Sequence, residues 1–219
     1  MTALAPAVVA LLSALVVVNL CLTAAALAIA LPIACLFAVG RLSGNPFVYY
    51  PVTAYVNVLR SSPLLMIMFW AYYTGPMITG APTSAYTAAL IALAAFEVAY
   101  FTELVRAGLQ SISSGQRDAA LAVGLRPGQA MRFVILPQAL RLMLPSLISQ
   151  SIIAFQDSTI ASVIGVTDIF ATANIISARE QRPIELYTAL AVIFFVLCYG
   201  LSKLVRGLEA RVNARTAGG

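Results

Sequence analysis

The sequence predicts an all-α integral membrane protein with five transmembrane helices, N-terminus out and C-terminus in, and three observations carry that expectation. Of its 219 residues 61% are hydrophobic and only 10% charged, with a mean hydropathy of +0.94. Soluble domains carry roughly 25% charged residues, so a water-soluble globule of this composition would expose large apolar patches. Apolar blocks near the ~20-residue length of a membrane span recur along the chain. Basic residues gather at the ends of those blocks.

The first span is placed at about residues 15–40. Residues 1–40 hold no charge, and Arg41 is the first ionisable side chain. A secretory signal would open on Lys or Arg, which this N-terminus lacks. The first residues are expected outside the membrane or along its surface. The second span is placed at about 51–73: the purely apolar part from Pro63 to Tyr73 is too short alone, and including Arg60 restores the length. Thr74-Gly75-Pro76 to Ala81-Pro82 is turn chemistry. The third span covers about 85–105, with Glu97 near its middle. A polar, basic loop follows at 106–141, punctuated by glycine and proline. The fourth and fifth spans are placed at about 142–166 and 186–205. Arg41, the arginines of loop 106–141 and the C-terminal Lys203, Arg206, Arg211 and Arg215 then share one side, which the positive-inside rule makes the cytoplasm. The whole chain reads as one transmembrane domain.

Absences narrow the chemistry. Without histidine there is no imidazole base and no His-ligated metal. Cys21, Cys35 and Cys198 stand singly in apolar runs with no C-x-x-C spacing, and read as small buried hydrophobes. The only lysine, Lys203, precedes Leu204, so no phosphate-binding loop is present and another chain must bind any ATP. The net charge of +5 is explained by the span ends, and no nucleic-acid partner is expected.

Within loop 106–141, Ser113 or Ser114 can cap a short helix running through Gln116 and Asp118 to Val123, and Gly124 suits its C′ position. Pro127 suits the first turn of a second short helix, expected to stop before Pro137. Two short helices joined at a glycine corner make a block that a partner can grip. An amphipathic loop lying on the membrane is the alternative.

Asp118-Ala119-Ala120, then Gly124, then Ile135-Leu136-Pro137 resembles the EAA loop of ABC-importer permease subunits, with Asp118 where that family usually has Glu. Tyr55-Val-Asn-Val-Leu-Arg-Ser-Ser-Pro-Leu-Leu65, Ala107-Gly-Leu-Gln-Ser-Ile112, Leu136-Pro-Gln-Ala-Leu-Arg141 and Asp157-Ser-Thr-Ile-Ala-Ser-Val-Ile-Gly165 resemble segments of the polar amino-acid uptake subgroup. Ala54-Tyr-Val-Asn-Val58, Phe96-Glu-Val-Ala-Tyr100 and Phe155-Gln-Asp157 look most like glutamate/aspartate permeases. The resemblance implies a subunit of the bacterial inner membrane that works with two ATP-binding subunits, a second permease and an extracytoplasmic solute-binding protein. The second permease is expected to be a similar chain rather than an identical copy. ATP and Mg2+ would belong to the ATPase, and this chain would hold no cofactor or metal. Gln116, Asp118, Ala119, Ala120, Gly124, Ile135, Leu136 and Pro137 would form the ATPase-coupling segment.

Charged groups inside spans are expensive, about 2.5–3.5 kcal/mol each on insertion scales, so each needs a reason. Arg60, Glu97 and Asp157 are candidates to line a translocation path, with Ser158 and Thr159 thickening a polar stripe on the fourth span. Arg60 could grip a substrate carboxylate with its planar fork, and Glu97 or Asp157 could meet the ammonium. Alternatively Arg60 balances an acid, or lies at the cytoplasmic interface. Glu103 and Arg106 suit a local pair at a helix end. Other polar solutes, or a stand-alone secondary transporter, are the competing functions.

Overall fold

The structure is a computed structural model and describes residues 4–217. All regular structure among these residues is helical. Helix α1 (Leu4–Ala14) passes through a π-helical stretch, Leu15–Leu20, into α2 (Cys21–Arg41) without a break. The first candidate span is therefore 35 residues long, from Ala7 to Arg41, and reaches further toward the N-terminus than expected. Residues 1–3 lie outside the described residues. On α2, Ala26, Ala30, Ala34 and Ala38 repeat every fourth position and are fully buried. Small residues at that spacing line up on one helix face and let two backbones approach closely, a main source of helix association in lipid. The partner is α5 (Ala85–Gln110), which buries Ala88, Ala89, Ala92 and Ala99.

The expected second span is not one straight helix. Helix α3 (Pro46–Arg60) and helix α4 (Leu64–Thr79) meet at a 108° bend. Pro63 explains the break: it has no N–H to donate, and its ring pushes the preceding residue out of helical geometry. Asn45 caps α3 by accepting the Phe47 N–H at 3.0 Å. The Tyr55 hydroxyl donates to the Ala95 carbonyl at 2.7 Å, fixing α3 across α5.

Helix α5 is the hub, with α2, α3, α4 and α8 packed around it. It runs to Gln110, past the expected end of the third span at 105. A Cβ at Gly108 would stand 2.8 Å from the Met143 Cβ, so glycine is what permits the crossing of α5 with α8.

Helix α6 (Ser114–Ala122) and helix α7 (Pro127–Ala130) follow, and here the expected stop before Pro137 is overturned. From Pro127 the chain continues through a π-helical stretch, Met131–Ile135, into α8 (Leu136–Asp157) and a 3-10 turn, Ser158–Ile164. The Leu136 N–H bonds to the Met131 carbonyl, five residues back. That widened turn shifts the hydrogen-bond register one residue ahead of Pro137, so its missing N–H and its ring are accommodated. Position 142, the expected start of the fourth span, therefore falls inside a continuous helix. The left-handed Gly165, with φ of 96°, closes the 3-10 turn.

Helix α9 (Ile169–Glu180) was not foreseen; it is capped by Asp168, which accepts the Ala171 N–H at 2.8 Å. Helix α10 (Pro183–Ala217) completes the fold. Among the described residues four helices are long and apolar enough to cross a membrane, and five spans result if the bent α3–α4 pair counts as one.

Candidate functional site: an exposed corner and a buried polar stripe

The first site is the corner between α6 and α7. Ser113 stands at the N-cap position of α6 in an extended conformation, but its side chain makes no capping bond. At the other end Gly124 has φ of 86°, its N–H bonds to the Leu121 carbonyl at 3.0 Å, and the Leu125 N–H bonds to the Ala120 carbonyl at 3.2 Å. These paired bonds are a Schellman ending, which requires the left-handed residue that glycine supplies most readily. Nothing lies within 4 Å of a Cβ built on Gly124, so within this chain the demand is conformational rather than steric.

Gln116, Asp118, Ala119 and Gly124 are exposed, as are Leu136 and Pro137, whereas Ala120 and Ile135 are buried. Val123 is 78% exposed beside the corner, an apolar tip facing away from the bundle. A single side-chain bond, Gln138 Nε2 donating to Gln116 Oε1 at 3.4 Å, ties α6 to α8 among the described residues. A cavity of about 590 Å³, lined by Gln110, Ser113, Ser114, Arg117, Pro127 and Met131 among others, separates α6 from the helices above it. The corner is a compact block attached loosely to the bundle.

The second site is the polar stripe between α5 and α8. Glu97 is fully buried; its Oε2 accepts from Gln150 Nε2 at 3.1 Å, and its Oε1 has no partner. Asp157 is half-buried at the C-terminus of α8. Thr159 returns its hydroxyl to the Gln156 carbonyl at 2.8 Å. Ser158 is fully buried and differs in role: it donates to the Phe155 carbonyl at 2.7 Å and accepts from Asn19 Nδ2 at 3.0 Å. Both functions of its hydroxyl are occupied inside the protein.

Asn19 is the residue that sequence reasoning passed over. It is fully buried, its Nδ2 also donates to Asp168 Oδ2 at 3.3 Å, and its Oδ1 accepts the Ile169 N–H at 3.2 Å. The signal was present: Asn19 is the only side-chain amide before Arg41.

Arg60 lies at the α3–α4 break, away from mid-helix. It is 40% exposed, its Nη1 is 4.0 Å from Glu103 Oε2, and its guanidinium sits 5.4 Å from the Tyr100 ring centroid. Glu103 also pairs with Arg106, as its spacing suggested, and with Arg41 from the end of α2. One carboxylate thus joins the C-terminal ends of α2, α3 and α5. Among the described residues no cluster of His, Cys, Asp or Glu could hold a metal ion.

Comparison with known proteins bears on the whole length. The family model for the binding-protein-dependent transport system inner membrane component matches residues 30–214. The chain is 38% identical over 202 residues to the glutamate/aspartate import permease protein GltK of Escherichia coli, covering 89% of this chain and 90% of that one. It is 35% identical over 174 residues to the probable glutamine ABC transporter permease protein GlnP of Bacillus subtilis, covering 78% and 79%. A crystal structure of an amino acid ABC transporter with histidines superposes at a TM-score of 0.88 and 34% identity, over 95% of this chain and 96% of that one. The inward-facing MetNI methionine ABC transporter, at a TM-score of 0.63 and 22% identity, shares the fold. With its apolar helices, this chain belongs to the binding-protein-dependent transport family as a multi-pass component of the bacterial inner membrane.

Proposed function

We propose that this chain is the permease subunit of an ATP-driven amino-acid importer whose substrates are glutamate and aspartate. The observation that carries the reading is the 38% identity to the glutamate/aspartate permease over 89% of the chain. The glutamine permease, at 35% over 78%, favours glutamine as the second reading. The chain works with N-terminus out and C-terminus in, an orientation supported by the arginines of the α6–α7 region and the basic C-terminus. It pairs with a second, similar permease, two ATP-binding subunits and an extracytoplasmic solute-binding protein. ATP and Mg2+ are held by the ATP-binding subunits.

The exposed α6 corner fits a groove on the ATPase: Gln116, Asp118, Ala119 and Ala120 lie on or beside its grip surface, and Gly124 closes it. Ile135, Leu136 and Pro137 carry the motion into α8 through the π-helical stretch. Asp157, Thr159 and Glu97 give the path its negative and polar groups, and Arg60, at an exposed corner, meets a substrate carboxylate. Ser158, with its hydroxyl fully engaged, anchors the stripe from inside.

Reconstitution with its ATPase, partner permease and binding protein tests the reading. Uptake of glutamate and aspartate well above that of glutamine supports it, and preference for glutamine overturns the substrate assignment. Gly124→Asp should abolish ATP-dependent uptake while the complex still inserts and purifies; retained uptake would falsify the coupling role. Arg60→Met should lower glutamate uptake by roughly 10-fold, the scale of a charge-assisted hydrogen bond at a partly exposed site. Because Glu103 also holds Arg41 and Arg106, the control is Arg60→Lys, which keeps the charge beside Glu103 but loses the planar fork: full uptake would leave Arg60 as a balancing charge, and partial uptake supports the carboxylate contact.

A further inference from the structure

The segment from Ser158 to Asp168 is irregular, with Ser158, Ala161, Ile164, Val166 and Asp168 buried and the residues between them partly or fully exposed. It comprises the 3-10 turn, the left-handed Gly165 and an extended run to the N-cap of α9. Ala161, Ile164 and Val166 from this stretch pack with Leu22, Met68 and Leu93, residues of α2, α4 and α5. Three-residue turns have poorer hydrogen-bond geometry than an α-helix and hold their register weakly unless something outside fixes it. Asn19 does so from both ends. One amide donates to Ser158 at the start of the segment and to Asp168 at its end, and accepts the Ile169 N–H beyond it. The amide orientation follows from these partners, since only Nδ2 can donate to a carboxylate and only Oδ1 can accept an N–H. Asn19 itself sits in the π-helical stretch Leu15–Leu20, next to α2. Its neighbour Thr23 donates to the Asn19 carbonyl at 2.8 Å, satisfying a backbone group there.

We infer that Asn19 is a positioning residue for the translocation path: by clasping Ser158 and Asp168 it sets how Asp157 and Thr159, on either side of Ser158, are turned toward the substrate. Successive residues in a helical turn point about 100–120° apart, so holding Ser158 inward fixes the directions of both neighbours. The inference rests on the proposed path role of Asp157 and Thr159.

The test uses the reconstituted complex. Asn19→Leu and Asn19→Asp should each raise the KM for glutamate uptake by about 10-fold, the scale of a lost buried hydrogen bond, with Vmax per assembled complex changing less than about twofold. Asn19→Asp faces Asp168 with a second carboxylate. The exchange Asn19→Asp with Asp168→Asn restores an amide–carboxylate pair, and the Ser158 hydroxyl can turn from the Phe155 carbonyl to donate to the carboxylate at position 19, so KM should return to within about threefold of the parent. A double variant as impaired as Asn19→Asp overturns the inference, and so does a KM unchanged in Asn19→Leu when the labelling described below is unchanged too. The exchange keeps the question open to test even if Asn19→Leu fails to assemble.

A second readout separates this inference from the path reading. With Cys21, Cys35 and Cys198 replaced, Thr159→Cys reports the local geometry through its rate of labelling by a water-soluble thiol reagent. A labelling rate altered by Asn19→Leu confirms the clasp. If labelling changes while KM does not, the segment moves without consequence, and it is the path role of Asp157 and Thr159 that falls. If labelling does not change, the clasp itself is wrong.

Discussion

The corner at Gly124 and the joint at Asn19 both turn the chain between helices, yet they are built in opposite ways. The corner is exposed and closed by bonds spanning three to five residues, such as Leu125 N–H to the Ala120 carbonyl. The joint is fully buried and closed by bonds between residues 139 to 150 positions apart. The corner's closing bonds all lie within α6 and its glycine ending, and a cavity of about 590 Å³ lies beside it. The joint has no shape until the first and fourth spans meet. The first property suits the coupling role proposed for the corner, and the second suits the substrate-facing role proposed for the segment beside the joint.

Five substitutions sharpen that contrast. The largest expected effect is at the joint. Asp168→Ala removes the α9 cap and leaves the Asn19 amide short of an acceptor in a buried site. It should destabilise the protein by about 2–4 kcal/mol. A drop in the thermal midpoint of the detergent-purified complex, larger than that of either corner substitution below, is the expected measurement.

At the corner, Gly124→Ala places a Cβ on a left-handed residue with open space around it. The strain is about 1–2 kcal/mol, and Gly124→Asn should recover part of it because asparagine tolerates that conformation. Equal midpoints for the alanine and asparagine variants would mean that φ is not the constraint.

The smallest effect distinguishes two serines at helix starts. Ser84 accepts the Thr87 N–H at 3.1 Å, whereas the Ser113 side chain caps nothing. Ser84→Ala should cost about 1 kcal/mol and Ser113→Ala close to nothing. Comparable losses at both sites would show that Ser113 acquires a cap outside this conformation.

The same contrast explains what could be read from the sequence. The α6 helix, its glycine ending and the Pro127 start were legible because each signal lies within a few residues of the bonds it governs. Pro137 misled for an instructive reason: a proline ends a helix only if the turn before it keeps its α register, and the Met131–Ile135 stretch does not. The Pro63 break was written in Ser61-Ser62-Pro63, but the length demanded of a span outweighed it. Arg60 was set among mid-membrane charges because its partner Glu103 stands 43 positions away in sequence, beyond any local pattern. Asp168 and Asn19 were invisible as a pair for that reason, although each was an isolated polar residue in apolar surroundings.

The separation of Asn19 from its partners also bears on how the protein is made. Ser158 is 139 residues downstream. At a synthesis rate of roughly 5–20 residues per second, the first span waits about 7–28 seconds before that hydroxyl exists. Through that interval the Asn19 amide lacks Ser158, Asp168 and Ile169, although the same span can already pack along α5. The hydrogen bonds that end the wait reward correct docking of the fourth span on the first. They add a late lock to a helix that α5 can already hold through its alanines.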